Sequence, residues 1–198
     1  MGALKLRPGN DRDILATKFE IEHEEVFHLK NLYKLIYEWL DEEGFTAVDG
    51  KADDKIETLY FDKTTADGAK EHQIWWRAFQ VPRDNKYYRY FIKIDWQTLY
   101  IKSMEIMHKG QKFKTNKGDV ILRIEAWLQL DYQNKWENHP ILRIFDRWFR
   151  ERFYLERIKS YKHDLYLTAF RLHQTIKQYL QLKAPVDWGR PFHPERGV

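Results

Sequence analysis

Two carboxylates interrupt strongly apolar stretches: Asp95 in Ile92-Lys93-Ile94-Asp95-Trp96, and Glu125 in Leu122-Arg123-Ile124-Glu125-Ala126. Carboxylates brought together from neighbouring strands can divide general acid and general base work when their surroundings drive their proton affinities apart. Each of these, however, falls on the face opposite the apolar file of its own strand, together with Arg89, Lys93 and Arg123. The alternation therefore predicts cross-strand ion pairs on a solvated face. The histidines offer no better constellation. His23 and His28, in His23-Glu24-Glu25-Val26-Phe27-His28, are five residues apart; on a helix that is about 500° of rotation, which leaves the rings roughly 140° apart and poorly placed to share a metal. His72, His108, His139, His163, His173 and His193 are scattered, mostly beside charged residues. The absence of cysteine excludes disulfides, thiolate metal sites and thiol nucleophiles. Neither a phosphate-cradling glycine loop nor a Gly-x-Ser-x-Gly turn is present. The expectation is a protein with no catalytic residue, no metal site and no cofactor.

Charge layout says more than any motif. From Pro140 to Leu182 nine basic residues stand against four acidic ones, a surplus of five in a chain whose formal net charge is +4. Arg143, Arg147 and Arg150 share a helix face, Arg157 follows, and Trp148, Phe149, Phe153 and Tyr154 are interleaved with them. Arginine binds phosphate bidentately, so this region can contact RNA phosphates or anionic headgroups, with Arg143, Arg147, Arg150 and Arg157 as anion contacts and Trp148 as apolar anchor. A solvated helix face laced with i,i+4 ion pairs is the competing explanation. Aromatic residues make up 16% of the chain, enough to supply a bulky core and a contact surface as well. The functional expectation is a non-enzymatic interaction module docking on a protein or RNA-containing assembly, with an anionic membrane surface as a further partner.

The elements that must position these residues read as α+β: a curved antiparallel sheet of about five to six strands, packed against an N-terminal helix and a long, broken C-terminal helical region. The stretch from Tyr87 to Tyr100 alternates aromatic and β-branched residues with charges, as a half-buried strand does. Strand character continues to His108 and, past Lys109-Gly110, resumes at Gln111 to Lys114; Asn116-Lys117-Gly118 then leads to the inward file Val120, Leu122, Ile124, Ala126, Leu128 and Leu130. A short strand is expected at Ala16 to Ile21, and a helix opening at His23-Glu24-Glu25 with Val26, Leu29, Leu32, Tyr33, Ile36, Trp39 and Leu40 on one face and Gly44 as its stop. Turns at Asp49-Gly50 and Asp53-Asp54 precede a strand from Lys55 to Lys63. Thr64 to Gly68 is a hairpin, and the return strand from Glu71 to Val81 puts Trp75 and Trp76 on opposite faces before Pro82-Arg83-Asp84-Asn85 turns the chain.

Asn138 is placed to cap, and Pro140 to begin, the C-terminal helical region, which is too long for one ordinary helix and should break between Glu151 and Ser160. Its later part aligns Ile158, Tyr161, Leu165, Ala169, Leu172, Ile176 and Tyr179 in a stripe. Residues 1–14 read as a leader, 15–182 as a single domain, and 183–198 as a proline- and glycine-broken tail that can dock through Trp188 and Phe192. No apolar run approaches the ~20 residues of a membrane span, and the N-terminus lacks the apolar core of a secretory signal, so a soluble, cytoplasmic protein is expected.

The Asn116-Lys117-Gly118-Asp119-Val120 turn, the Leu130 to Asn138 segment, Tyr33 to Leu40 and the Trp75-Trp76 strand together resemble a group of small proteins of unassigned activity encoded by archaea, particularly reduced-genome lineages, over roughly residues 15 to 182. The element order also resembles the helix-grip fold of the START and Bet v 1-like proteins, although that fold usually has two helices between its first two strands. This second resemblance implies a carrier for a small apolar ligand, held between the sheet and the C-terminal helix in a cavity of ~300 Å³ or more. Leu122, Ile124, Leu128, Leu165 and Leu172 would line it.

Overall fold

In a computed structural model, residues 11–47, 56–82, 85–108 and 111–180 are described. The expected turns at Asp49-Gly50, Asp53-Asp54, Arg83-Asp84 and Lys109-Gly110, most of the leader and the tail with Trp188 and Phe192 lie outside the described residues. The chain forms β1 (Asp13–His23), β2 (Val26–Phe27), α1 (Leu29–Glu42), β3 (Glu57–Thr64), β4 (Lys70–Gln80), β5 (Tyr88–His108), β6 (Gln111–Leu130), α2 (Leu142–Arg152) and α3 (Leu155–Tyr179). The six strands make one antiparallel sheet in the order β1-β6-β5-β4-β3, with β2 pairing to β6. The first strand thus lies beside the last, and the four strands after α1 return to it as a meander.

Alternation decides which face is buried. Val120, Leu122, Ile124, Ala126, Leu128 and Leu130 are all buried, and the register sets Trp96 beside Leu122, Ile94 beside Ile124 and Ile92 beside Ala126. Across β6, Phe19 and Ile21 of β1 stand beside Ile124 and Leu122; across β5, Trp76 of β4 stands beside Ile94. Leu32, Ile36 and Leu40 of α1 and Ile158, Leu165, Ala169, Leu172 and Ile176 of α3 close the same apolar cluster. Tyr33 meets Trp76 edge-on at 4.6 Å and Trp76 lies 5.2 Å from Trp96, so indole and phenol rings fill the space between α1 and the sheet. Trp75, one residue from buried Trp76, is exposed on the other face, as the strand period requires.

The outer face carries ion pairs as expected for Lys93, Asp95 and Glu125, whereas Arg123 turns to Glu20 at 3.1 Å and Arg89 donates to the Gln129 side chain. Arg77 meets Asp95 at 2.7 Å, and Lys93 bridges Asp95 at 2.9 Å and Glu125 at 3.5 Å. Lys18 adds a contact of 3.3 Å to Glu125. Burial alone would raise the Glu125 carboxyl, but Lys93, Lys18 and the Trp127 indole hold it below its ordinary value, in the wrong direction for a general acid.

Several boundaries differ from the sequence reading, each for a local reason. No helix opens at His23: β1 runs to His23 and, after a bend at Glu25, β2 follows at Val26–Phe27, because β6 takes the backbone on both sides of the bend, His23 pairing with Val120, Val26 with Lys117 and Phe27 with Asn116. Helix α1 begins only at Leu29, with no acidic residue in its first turn, and the ring of His28 accepts from Asn31 N–H as its cap. Gly44 ends it at φ +78°, as expected. Asn138 does not cap α2. Its N–H donates to Asn134 C=O within a preceding turn, and the His139 ring accepts from the N–H groups of Ile141 and Leu142 instead. The helical break falls at Phe153 and Tyr154, inside the expected interval.

Strands β5 and β6 slip register between Leu99 and Lys102, where Tyr100 adopts φ +52°. Gly118 faces this bulge at φ +152°, and a Cβ there would stand 2.8 Å from the Tyr100 carbonyl oxygen, so the glycine makes the close approach possible.

His173 on α3 is buried, stacked on Phe19 at 4.5 Å, and its Nδ1 has no hydrogen-bond partner among the described residues. Burial, aided by Lys177, depresses its pKa from 6.5 to about 4. The unfolded chain therefore binds a proton that the folded chain refuses, and stability is lost as pH falls from 6.5 towards 4. Chemical denaturation across this interval is expected to show a loss on the order of 2 kcal/mol at the acid end. His173→Leu should flatten most of that slope, and an unchanged slope in the variant would refute the assignment.

Candidate functional site

Placement of α2 begins at a residue before β1. Leu130 N–H donates to the backbone carbonyl of Arg12 at 2.8 Å, which fixes Arg12 at the end of β6. Its guanidinium then turns towards three acids. Nε and Nη2 donate to Asp146 Oδ2 at 3.1 and 2.8 Å, Nη1 donates to Glu137 Oε2 at 2.8 Å, and Asp131 Oδ2 lies 3.8 Å away. Burial would lower the Arg12 pKa, but the charges of Asp146, Glu137 and Asp131 outweigh it and hold the cation firmly protonated. Asp131, at φ +47°, also accepts from the N–H groups of Trp136 and Glu137 and so shapes the turn leading to α2.

The hub continues through Asp146, the one fully buried residue of α2. Tyr87 OH donates to its Oδ1 at 3.2 Å, and Arg150 Nε lies 3.4 Å from its Oδ2 while Arg150 Nη2 donates to Asp11 at 2.7 Å. Burial, and then the Asp146 charge, push the Tyr87 phenol far above its usual value, so it remains a hydrogen-bond donor. The hydrogen bond from Arg150 outweighs burial and lowers the Asp11 carboxyl. Beside the hub, Trp136 meets Phe149 at 5.7 Å and Tyr87 at 5.5 Å, and Tyr154 stacks on Tyr87 at 5.9 Å. The inner face of α2 is thus ionic and aromatic, with Asp146 at its centre.

The opposite face is the consequence. Ile141, Ile144, Phe145 and Trp148 recur at the three- and four-residue spacing of one helix side, and they are 60%, 75%, 47% and 50% exposed. Helix α2 therefore presents an apolar ridge to solvent, and Phe153 and Leu155 extend exposed apolar surface into the corner with α3. The Trp148 ring is steadied edge-on by Phe149 at 5.5 Å and Phe153 at 5.2 Å. The ridge alone exposes on the order of 500 Å² of apolar surface, at the upper end of what a monomer shows without an interaction site.

The arginines expected to bind anions separate into two groups. Arg150 lies on the inner edge with its side chain 11% exposed, committed to Asp146 and Asp11, because the helix turns it towards the hub. Arg143, Arg147 and Arg157 are exposed. Arg147 pairs with Glu151 at 2.9 Å, and Arg157 stands over the Tyr154 ring at 5.9 Å. Among the described residues Arg143, Arg152 and Arg157 have no carboxylate within ion-pair distance. Trp148 is on the surface where an anchor must be, but Ile141, Ile144 and Phe145, not singled out from the sequence, form most of the ridge. Their spacing is legible in the sequence; the direction they face is not.

The five residues expected to line a ligand cavity, Leu122, Ile124, Leu128, Leu165 and Leu172, are fully buried in the apolar cluster between β6 and α3. The open cleft nearest α2, about 220 Å³, is lined instead by residues that include Ile14, Leu130, Arg147, Arg150 and Ile158. Among the described residues no group of three histidine or carboxylate side chains could hold a metal ion. His28 caps α1, the His139 ring accepts from Ile141 and Leu142 N–H in the turn that enters α2, and His72 Nδ1 lies 2.7 Å from Thr98 Oγ1. Among the described residues no helix is long and apolar enough to cross a membrane. No protein-family model matches the chain, and no curated protein sequence matches it.

Removing one member of the hub leaves buried charge uncompensated. Asp146→Asn is expected to cost about 3 kcal/mol in denaturant unfolding, with fast amide exchange concentrated in α2. Loss of exchange protection spread evenly over the sheet, or no loss at all, would show that the hub does not hold this helix.

Proposed function

We propose that the protein is a non-enzymatic interaction module whose docking element is the outward face of α2. The observation that carries this reading is the inversion of the helix: Asp146 is its buried residue, while Ile144, Phe145 and Trp148 face solvent. Folding alone gives no reason for such an arrangement, since an ordinary surface helix turns its apolar stripe to the core. A partner that offers apolar contact to Ile144 and Trp148, and negative charge to Arg143, Arg147 and Arg157, meets the chemistry of this face. A protein or RNA-containing assembly and an anionic membrane surface both combine these properties, and the cytoplasm is the compartment in which we place the encounter.

The docking reading is checked by capture from native lysate, with and without nuclease, using the full chain and Ile144→Asp/Trp148→Asp. Both side chains are exposed, so the melting temperature of the variant should stay within about 2 °C of the parent. Associations held by the parent are expected to disappear in the variant. Their full retention would remove α2 from the reading, and nuclease sensitivity would identify RNA as part of the assembly.

A second reading, a helix-grip carrier of a small apolar molecule, is supported by one specific observation. Tyr88 OH, on the inner face of the sheet beside Tyr161 of α3, is buried without a hydrogen-bond partner among the described residues. Buried donors of this kind are uncommon and suit a ligand with an acceptor group. Saturable uptake of a hydrophobic fluorophore, abolished by Leu165→Trp, is the expected outcome for a carrier; no saturable uptake would exclude it.

A further inference from the structure

We infer that the outward face of α2 seats on an anionic lipid bilayer surface, with Ile141, Ile144, Phe145 and Trp148 entering the headgroup boundary and the flanking arginines meeting lipid phosphates. The inference rests on the docking role proposed for α2 and names its partner. Charge complementarity selects the partner. On α2, Arg147 borders the ridge on one side and Arg152 stands at its C-terminal end, while Arg143 lies further round the helix on the side of Arg150; the two acids of the helix are engaged, Asp146 by Arg12 and Glu151 by Arg147. What the helix offers outward is apolar surface edged by cations.

A second copy of the chain does not suit this surface. Symmetric pairing of α2 with α2 would set Arg147 and Arg152 of one copy against the same residues of the other, with the acids of each helix already paired to arginines of its own copy. RNA alone suits it poorly, because Ile141 and the most exposed member, Ile144 at 75%, provide neither a stacking plane nor a hydrogen bond. An acidic protein groove would have to supply carboxylates both along one flank and past the helix end. A bilayer interface supplies phosphate at every direction around an in-plane helix, and α2, about 16 Å long, is short enough to lie wholly within it. Trp and Phe favour that depth, and arginine stems reach from it to phosphate.

The test is co-sedimentation of the full chain with vesicles of phosphatidylcholine alone and of phosphatidylcholine mixed equally with phosphatidylglycerol, over a salt series. Binding is expected to the anionic vesicles, to weaken as salt rises, and to be slight on the neutral ones. Ile144→Asp and Arg147→Glu/Arg152→Glu should each reduce the partition about tenfold or more, with folding checked by thermal unfolding. Trp148→Phe should keep most of the binding but remove the vesicle-induced blue shift of tryptophan emission that the parent shows. Absence of binding to anionic vesicles, equal binding by Ile144→Asp, or a lipid-free dimer that Ile144→Asp dissociates would each overturn the lipid assignment. If the vesicles fail while Ile144→Asp/Trp148→Asp still abolishes the lysate associations, the docking role stands and its partner is a protein or RNA-containing assembly.

Discussion

The contact between Arg12 and Asp146 determines which way α2 faces, and with it what the surface of this end of the molecule is made of. Asp146 lies on the side of α2 opposite Trp148 and Ile144, so burying its carboxylate against the Arg12 guanidinium obliges the apolar side to point outward. Taking a charged pair out of water is costly, and only good geometry and further hydrogen bonds offset the loss. Here both oxygens of Asp146 are engaged, Oδ1 by Tyr87 and Oδ2 by Arg12, and Arg150 stands nearby. A buried ion pair adds little net stability in general, but it is specific about orientation, because the alternative placement strands a charge.

The rest of the molecule explains why α2 is free to take this arrangement. The inner face of the sheet is covered by α1 and α3, whose buried stripes complete one apolar cluster with β6, β5, β4 and β1. Helix α2 contributes no fully buried apolar residue to it. Its apolar residues are therefore not required by the core, and the sheet would be covered without them. The outer face of the sheet is dressed mainly by ion pairs such as Arg77–Asp95 and Lys93–Glu125, which leaves the ridge of α2 as the clearest apolar projection among the described residues.

The aromatic abundance of the chain divides along the same line. Trp76, Trp96 and Tyr33 fill the space beneath α1, where large rings span the gap between helix and sheet. Tyr87, Trp136, Phe149 and Tyr154 form a second cluster under the corner between α2 and α3, and the break at Tyr154 directs its ring into it. Trp148 and Phe153 touch only the edge of this second cluster, through Phe149, and with Phe145 their exposure places them on the surface of this corner. The aromatic composition pointed first to a bulky core, and the first two of these clusters are packed inside the molecule.

Much of the architecture was legible in the sequence because strand alternation is a local rule. The file from Val120 to Leu130, the opposition of Trp75 and Trp76, the ion pairs of Asp95 and Glu125, the Gly44 stop and the stripe of α3 all follow from side-chain period and turn chemistry. Where local preference competed with a distant partner, tertiary structure prevailed. His23 and Val26–Phe27 became strand because the edge of β6 accepts their backbone, and Asn138 is drawn into a turn with Asn134 ahead of α2. The docking face divides in the same way. Spacing within Ile141 to Trp148 established that one side of α2 is apolar and the other charged. Periodicity is symmetric with respect to inside and outside, so only Arg12, 134 residues away in sequence from Asp146, could decide that the charged side is the one the fold buries.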